Sequence, residues 1–288
     1  MVTGQEIKEA IERVGVVTGD ILLFHASLKS FGCVEGGADS VIDGLLDAVG
    51  QEGTLVAPTL VQRDFVHAYE NWNKDTSPSD VGTITEVLRC RRDAVRSDQA
   101  THSCAAIGRL AQELTRDHGT VGPRFHFYGD YAFSYGSPWQ MMYELGGKVA
   151  FLGVTLRCNT YRHFMECRFI ERGMKNISDP EKRASLQKEL ATHSQYGEYL
   201  RQAGEYLKYG TPFTILEMGI SGGGMMRMED GLEKAGILRR TTCGEAEIRL
   251  MEIRPMVEYC EKAVRENPEA YMKPQDADWL RRLWAAAE

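Results

Sequence analysis

Lys148-Val149-Ala150-Phe151-Leu152-Gly153-Val154 decides the fold class. A short apolar run between turn signals reads as a strand buried on both faces. Gly146-Gly147 in front of it stops an upstream helix. That helix opens at Ser137-Pro138, an N-cap followed by proline at the first helical position, and runs through Met141, Met142 and Leu145. The alternation extends toward the N-terminus. Asp20-Ile21-Leu22-Leu23-Phe24 and Thr54 to Ala57 read as strands, the second ended by Pro58, and Cys104 to Ile107 as another. Between them, Asp39 to Val49 carries Val41, Ile42, Leu45, Leu46 and Val49 on one helical stripe with Gly50 as its stop, and Gly82 to Arg92 is helical. A strand–helix alternation of this kind predicts an α/β sandwich around a largely buried sheet.

The chain begins with an expected amphipathic helix. Thr3 and Glu6 form a capping box, and Ile7, Ala10, Ile11 and Val14 share one face. No basic region followed by an apolar stretch marks a signal peptide there. Toward the C-terminus, residues 173–185 read as a polar loop, 185–207 as helical, and Gly222-Gly223-Gly224 as a flexible break. A closing αβα run follows: Met228 to Lys234, Ala246 to Met251, and Pro255 to Val264. Trp279 and Trp284 lie on a last amphipathic helix, which docks on the core or makes a dimer contact. The expectation is one domain over 1–288, with a core of about 1–172, a lobe of about 173–225 and a C-terminal αβα segment of about 226–288.

Composition narrows the function classes. Among 288 residues, 43% are hydrophobic and 26% charged, which excludes a disordered or fibrous chain. No apolar run reaches the ~18–20 residues of a membrane span. The net charge of −7 disfavours a nucleic-acid partner. Seven cysteines without a CxxC pair read as free thiols of a reducing, cytoplasmic compartment, and no metal site is expected. A P-loop, a dinucleotide fingerprint and a GxSxG elbow are all missing.

Three segments carry candidate chemistry. Asn159-Thr160-Tyr161-Arg162-His163-Phe164-Met165-Glu166 follows the deciding strand, at the strand ends where α/β sheets gather ligands. With Asn159 as N-cap, His163 and Glu166 stand three apart on one helix face. A carboxylate beside an imidazole fixes its tautomer and raises its basicity. The same spacing also describes an ordinary surface pair. His25-Ala26-Ser27-Leu28-Lys29-Ser30 follows the first strand, and Gly36-Gly37-Ala38 then opens a helix whose N-terminus suits phosphate. A plain turn accounts for it equally. Arg96-Ser97-Asp98-Gln99-Ala100-Thr101-His102-Ser103 either lines a pocket or caps a loop.

In order along the chain, Phe24-His25-Ala26-Ser27-Leu28 with Gly32 and Gly36-Gly37-Ala38, Gly53 to Thr59, Gly82 to Ser103, Gly136-Ser137-Pro138, and Asn159-Thr160-x-x-His163-x-x-Glu166 resemble the aminoglycoside 3-N-acetyltransferase family. The resemblance spans about residues 5 to 170, with a weaker echo near Gly244 to Val257. It implies the three-layer α/β/α sandwich of the antibiotic N-acetyltransferase type, distinct from the GNAT fold. It implies acetyl-CoA as acyl donor, an amine acceptor that can be cationic, and a monomer or homodimer. His163 matches the family's catalytic histidine. Glu166, or a carboxylate of the C-terminal lobe, would be its partner, and Thr160 would donate to the developing oxyanion. His25, Ala26, Ser27, Leu28 and Lys29, with Ser103 opposite, would receive the coenzyme. The chain departs from the pattern at Gln99-Ala100, where many members carry His-Pro, and at Asp93, where glycine is usual. Segment 60–80 matches no resistance-enzyme signature. The acceptor is therefore an aminoglycoside, a related amino sugar or another biosynthetic amine. A non-catalytic coenzyme-binding protein of the same fold is the alternative from a different class.

Overall fold

A computed structural model describes residues 1–61, 68–124, 126, 128–129, 131–192 and 223–285. In chain order the elements are α1 (Gly4–Arg13), β1 (Ile21–Ala26), α2 (Gly37–Val49), β2 (Thr54–Pro58), α3 (Ala68–Asn71), α4 (Thr83–Arg89), β3 (Val95–Arg96), β4 (Cys104–Gly108), α5 (Ala111–Thr115), α6 (Pro138–Glu144), β5 (Lys148–Leu152), α7 (Tyr161–Asn176), α8 (Pro180–Thr192), α9 (Gly223–Lys234), β6 (Arg239–Cys243), β7 (Ala246–Glu252), α10 (Ile253–Glu266) and α11 (Pro274–Ala285). The described strands form a seven-stranded sheet in the order β3-β4-β2-β1-β5-β7-β6.

The deciding strand, β5, lies near the centre. It is parallel to β1, with Phe24 opposite Ala150 and His25 opposite Phe151. β1 is also parallel to β2. The outer strands run antiparallel: β4 against β2, β3 against β4, β7 against β5 and β6 against β7. One sheet edge therefore gathers the carboxyl ends of β1, β2 and β5 and the starts of β4 and β7.

Side chains alternate across the sheet as the period of two requires. Leu22, Phe24, Leu55, Ala57, Ala150, Leu152, Ile248 and Leu250 pack with α1, α2 and α4. Leu23, Val56, Val149, Phe151 and Met251 face the opposite way, toward Trp139, Tyr161, Phe164 and the helices α5–α7 and α9–α11. The result is a three-layer α/β/α sandwich. The capping box at Thr3–Glu6 closes α1, and Ser137 caps α6 through Gln140 N at 3.3 Å, with Pro138 at the first turn.

Four sequence expectations need correction. Residues 173–185 are not a loop: α7 runs to Asn176 and α8 starts at Pro180. Asp179 Oδ1 accepts from the backbone N–H of Glu181 and Lys182, so Asp179-Pro180 is an N-cap and first-turn proline. Gly223 and Gly224 belong to α9 rather than to a flexible break, whereas Gly222 lies outside the described residues, as do residues 193–207 of the expected helix. The C-terminal run is αββα, because Arg239-Arg240-Thr241-Thr242-Cys243 forms the edge strand β6. Its polar sequence has no apolar alternation, and its arginines are held by ion pairs instead. Arg240 meets Glu229, Glu233 and Glu247. The N-cap of α7 is Thr160, and Asn159 sits one residue earlier, where its Oδ1 accepts from Tyr161 N at 3.1 Å.

Candidate active site

β5 ends at Leu152, and Gly153 turns the chain at φ +67° with no room for a side chain, since a Cβ there would lie 2.3 Å from Ser30 Cβ. The turn and a 3₁₀ segment, Leu156–Cys158, deliver the chain to α7 at this edge. On α7 the spacing of three brings His163 Nδ1 to 2.8 Å from Glu166 Oε2. The pair is not a surface pair: His163 is 6% exposed and Glu166 0%.

Burial determines the charge states. His163 is held well below its ordinary 6.5 by desolvation first, then by the Arg162 guanidinium and the imidazoles of His102 and His126. Burial pushes Glu166 up, Asp276 adds to that push, and Arg162 opposes it. Arg162 Nε donates to His163 Nε2 at 3.1 Å, so that nitrogen is the acceptor and the neutral ring carries its hydrogen on Nδ1, toward Glu166. This tautomer leaves Nε2 as the basic nitrogen of the ring, engaged by Arg162.

Rings enclose the imidazole. Tyr128 is 5.1 Å from His163 at 85°, His102 and His126 are each 5.7 Å away, and Phe133 is 6.1 Å away. The Tyr69 hydroxyl of α3 donates to the Tyr128 carbonyl, so segment 68–71 stands one residue removed from the ring cage. Thr160 is 6% exposed at the N-terminus of α7, and its hydroxyl makes no capping bond.

The second segment also lies at this edge. His25 ends the buried part of β1 and stacks on Phe151 at 5.2 Å and 14°. Burial and Arg162 lower it to about 3, and its Nε2 has no hydrogen-bond partner among the described residues. Ala26, Ser27 and Leu28 are half-buried and Lys29 is exposed. Ser27 N is bound to Leu152 O at 3.0 Å, which ties the loop to β5.

Ser103 is placed differently. It is 0% exposed, donates to Thr59 O at 2.9 Å and accepts from Arg96 Nε at 3.3 Å. Arg96 also donates to the carbonyls of Thr59, Lys74 and Ser77 and lies 4.5 Å from the Trp72 ring. This buried cation fixes the 72–79 loop beside the end of β2. From the third segment His102 reaches the cage, through contacts that the sequence did not order.

Sequence reasoning missed Arg162 and His126. His126 Nε2 lies 3.5 Å from Glu166 Oε2, and the ligand atoms of His126, His163 and Glu166 are all within 4.8 Å of one another. Arg162 stood inside the quoted motif. His126 sits among aromatic residues in a segment without periodicity, where nothing in the spacing signals it.

Known proteins share this chain's features. The aminoglycoside N(3)-acetyltransferase III of Salmonella sp is 34% identical over 182 residues, 58% of this chain and 60% of that protein. The matched part thus spans about 60% of that relative's length. The aminoglycoside N(3)-acetyltransferase VII of Streptomyces paromomycinus is 28% identical over 283 residues, covering 90% of each chain. A solved structure titled "AAC-IIIb binary with CoASH" shares the fold at a TM-score of 0.65, with 18% identity, 94% of this chain and 98% of that chain. The family model described as aminoglycoside 3-N-acetyltransferase matches residues 23–265, and it is to this family that the chain belongs.

Proposed function

We propose that the chain is an N-acetyltransferase that moves an acetyl group from acetyl-CoA to an amine of an aminoglycoside or a related amino sugar, with His163 as general base. The buried His163–Glu166 pair, 2.8 Å apart with the Nε2 lone pair turned away from Glu166 and toward Arg162, carries this reading. The names of the relatives and the CoASH of the structural neighbour point the same way.

Aliphatic amines are mostly protonated near neutral pH and attack only when neutral. His163, kept uncharged by burial, accepts the amine proton at Nε2 as the nitrogen meets the thioester carbonyl. Arg162 Nε, now 3.1 Å from Nε2, swings aside to admit the amine. Glu166 then faces the imidazolium at Nδ1 and offsets its charge. As the tetrahedral adduct collapses the C–S bond breaks, and the departing coenzyme thiolate takes the proton from Nε2 to leave as the thiol and restore neutral His163. Thr160, unengaged as a cap, donates to the charge developing on the carbonyl oxygen.

The coenzyme side falls to His25, Ala26, Ser27, Leu28 and Lys29. The unpartnered His25 Nε2 suits a polar atom of the pantetheine arm, and the exposed Lys29 suits phosphate. Ser103 contributes behind this wall, through Thr59 and Arg96. The acceptor side falls to segment 60–80, where the sequence departs from resistance-enzyme signatures; described residues of that segment, among them Val61, Ala68, Asn71, Ser77 and Asp80, border a cavity of about 290 Å³. One domain, 1–288, carries the whole site.

Thiol release from acetyl-CoA, measured across aminoglycosides and simple amino sugars, tests the reading. His163→Ala is expected to lower turnover by ~10²–10⁴-fold while acetyl-CoA binding by calorimetry is retained. Binding without turnover on any acceptor moves the substrate to another amine. Turnover that survives in His163→Ala removes the base assignment.

A further inference from the structure

The Glu166 carboxylate is met from two sides. Its Oε2 lies 2.8 Å from His163 Nδ1, a hydrogen bond, and 3.5 Å from His126 Nε2, an electrostatic approach longer than a formed hydrogen bond, while Oε1 is buried without a hydrogen-bond partner among the described residues. His126 and Glu166 are each 0% exposed. Two imidazoles and a carboxylate at such distances also describe a divalent-metal site. Hydrogen positions separate the two cases. The backbone N–H of Tyr128 donates to His126 Nδ1 at 3.2 Å, so a neutral His126 carries its hydrogen on Nε2, facing Glu166. Arg162 Nε likewise makes His163 Nε2 an acceptor and puts that ring's hydrogen on Nδ1. Both rings turn N–H groups, not lone pairs, toward the carboxylate. A metal ion there would require both tautomers reversed and both outer hydrogen bonds broken.

We propose that His126 is a positioning residue for the general base: its Nε2–H keeps the Glu166 carboxylate ionised and aligned on His163 Nδ1, without touching either substrate. The proposal rests on the reading of His163 as base. Once Nε2 has taken the amine proton, an imidazolium forms in a closed cage, and only an ionised carboxylate at Nδ1 offsets it. Burial and Asp276 on α11 both push Glu166 toward its protonated form. Arg162 on the same helix opposes them, and an N–H facing Oε2 adds to that opposition. Among the described residues, His102 also acts on His163. His126 is itself held neutral by burial and so acts as a fixed donor over the working pH range. The rings of Tyr128 and Phe133, 5.3 and 5.0 Å away, hold it in place.

Two variants of the full chain separate donation from packing. His126→Phe keeps the aromatic contacts and removes the donor, whereas His126→Asn keeps an N–H at reduced size. The first readout is the low-field proton NMR signal of His163 Nδ1–H, identified by its loss in His163→Ala. His126→Phe is expected to shift it upfield and to move its pH dependence to higher pH than in wild type as Glu166 protonates more readily, with His126→Asn close to wild type. The second readout is turnover with acetyl-CoA. His126→Phe is expected to lower kcat about ten- to a hundredfold with both KM values unchanged and the acid limb moved to higher pH, partly restored in His126→Asn. A folded His126→Phe protein with the wild-type signal and pH profile would overturn the proposal. Equal losses in both variants, with raised KM and a lowered melting temperature, would assign packing alone. Tetrahedral Co²⁺ absorption in the wild type that His126→Asn abolishes would show lone pairs facing Glu166, again overturning it. The NMR readout needs no acceptor, so a failure of the proposed function leaves it standing and the two failures are distinguishable.

Discussion

The two faces of the sheet solve different problems. On one, α1, α2 and α4 cover Leu22, Phe24, Leu55 and Ala150 with aliphatic side chains, and Ile7, Ile11, Val41, Ile42 and Leu45 are all 0% exposed. Its stability comes from removing apolar surface from water, about 1.5–3 kcal/mol for each large side chain. On the other face the same strands cover Trp139, Tyr161 and Phe164, and beyond these lie the buried polar groups His102, His118, His126, His163 and Glu166. Each polar group there must find a partner or remain neutral, because a buried charge without one is costly. One face holds the fold, and the other carries the proposed site at some cost in stability.

Substitutions on the first face should therefore change stability and leave the site alone. Leu45→Ala removes a fully buried side chain between α2 and its neighbours and is expected to cost about 2–5 kcal/mol in denaturant unfolding. The folded fraction should keep the wild-type kcat and pH profile. A changed pH profile in that variant would show that the two faces are coupled, and the division drawn between them would fail.

The same difference explains what the sequence made legible. The stripes Ile7–Ala10–Ile11 and Val41–Ile42–Leu45–Val49 follow helical spacing, and β1, β2 and β5 are apolar runs between turns. Local pattern and tertiary packing agree there. His163 and Glu166 were visible as a pair because both lie on one turn of α7. Their burial was not, since it depends on rings brought from residues 102, 126, 128 and 133. β6 escaped because Arg240 replaces apolar alternation with ion pairs to Glu229, Glu233 and Glu247. The resemblance makes Ser103 ligand-facing, and the bonds its hydroxyl makes to Thr59 O and Arg96 Nε have no sequence signature.

Acid sharpens the contrast further. Burial lowers His118 to about 4 and His25 to about 3, from an ordinary 6.5. Below 6.5 the unfolded chain binds protons that the folded chain refuses. The stability linked to neutral histidines is therefore fully present above pH 6.5 and lost as pH falls, down to about 4 for His118 and about 3 for His25. Inside that window each histidine contributes a slope of about 1.4 kcal/mol per pH unit. Unfolding free energies measured between pH 7 and 5 should fall steeply in the wild type. His118→Gln should flatten the slope by about one histidine's share, about 1.4 kcal/mol per unit, whereas Leu45→Ala should shift the curve down in parallel. An unchanged slope in His118→Gln would mean that this ring already binds a proton when folded.

The smallest expected effect lies where the polar face meets its own base. Arg162 depresses His163 and His25 through its charge and occupies His163 Nε2 with a hydrogen bond. Arg162→Gln removes the charge, so His163 should become more basic. As the proposed base, His163 would be active only when unprotonated, and its activity would be lost as pH falls through its pKa. Raising that pKa moves the acid limb of kcat/KM to higher pH. At pH 8, above the limb, kcat/KM should stay within about threefold of wild type, because the lost charge no longer matters where His163 is already neutral. Arg162→Lys, which keeps the charge, should leave the limb in place. A plateau that collapses about a hundredfold in Arg162→Gln would instead place the guanidinium against the reacting atoms, where electrostatic contacts have effects of that size.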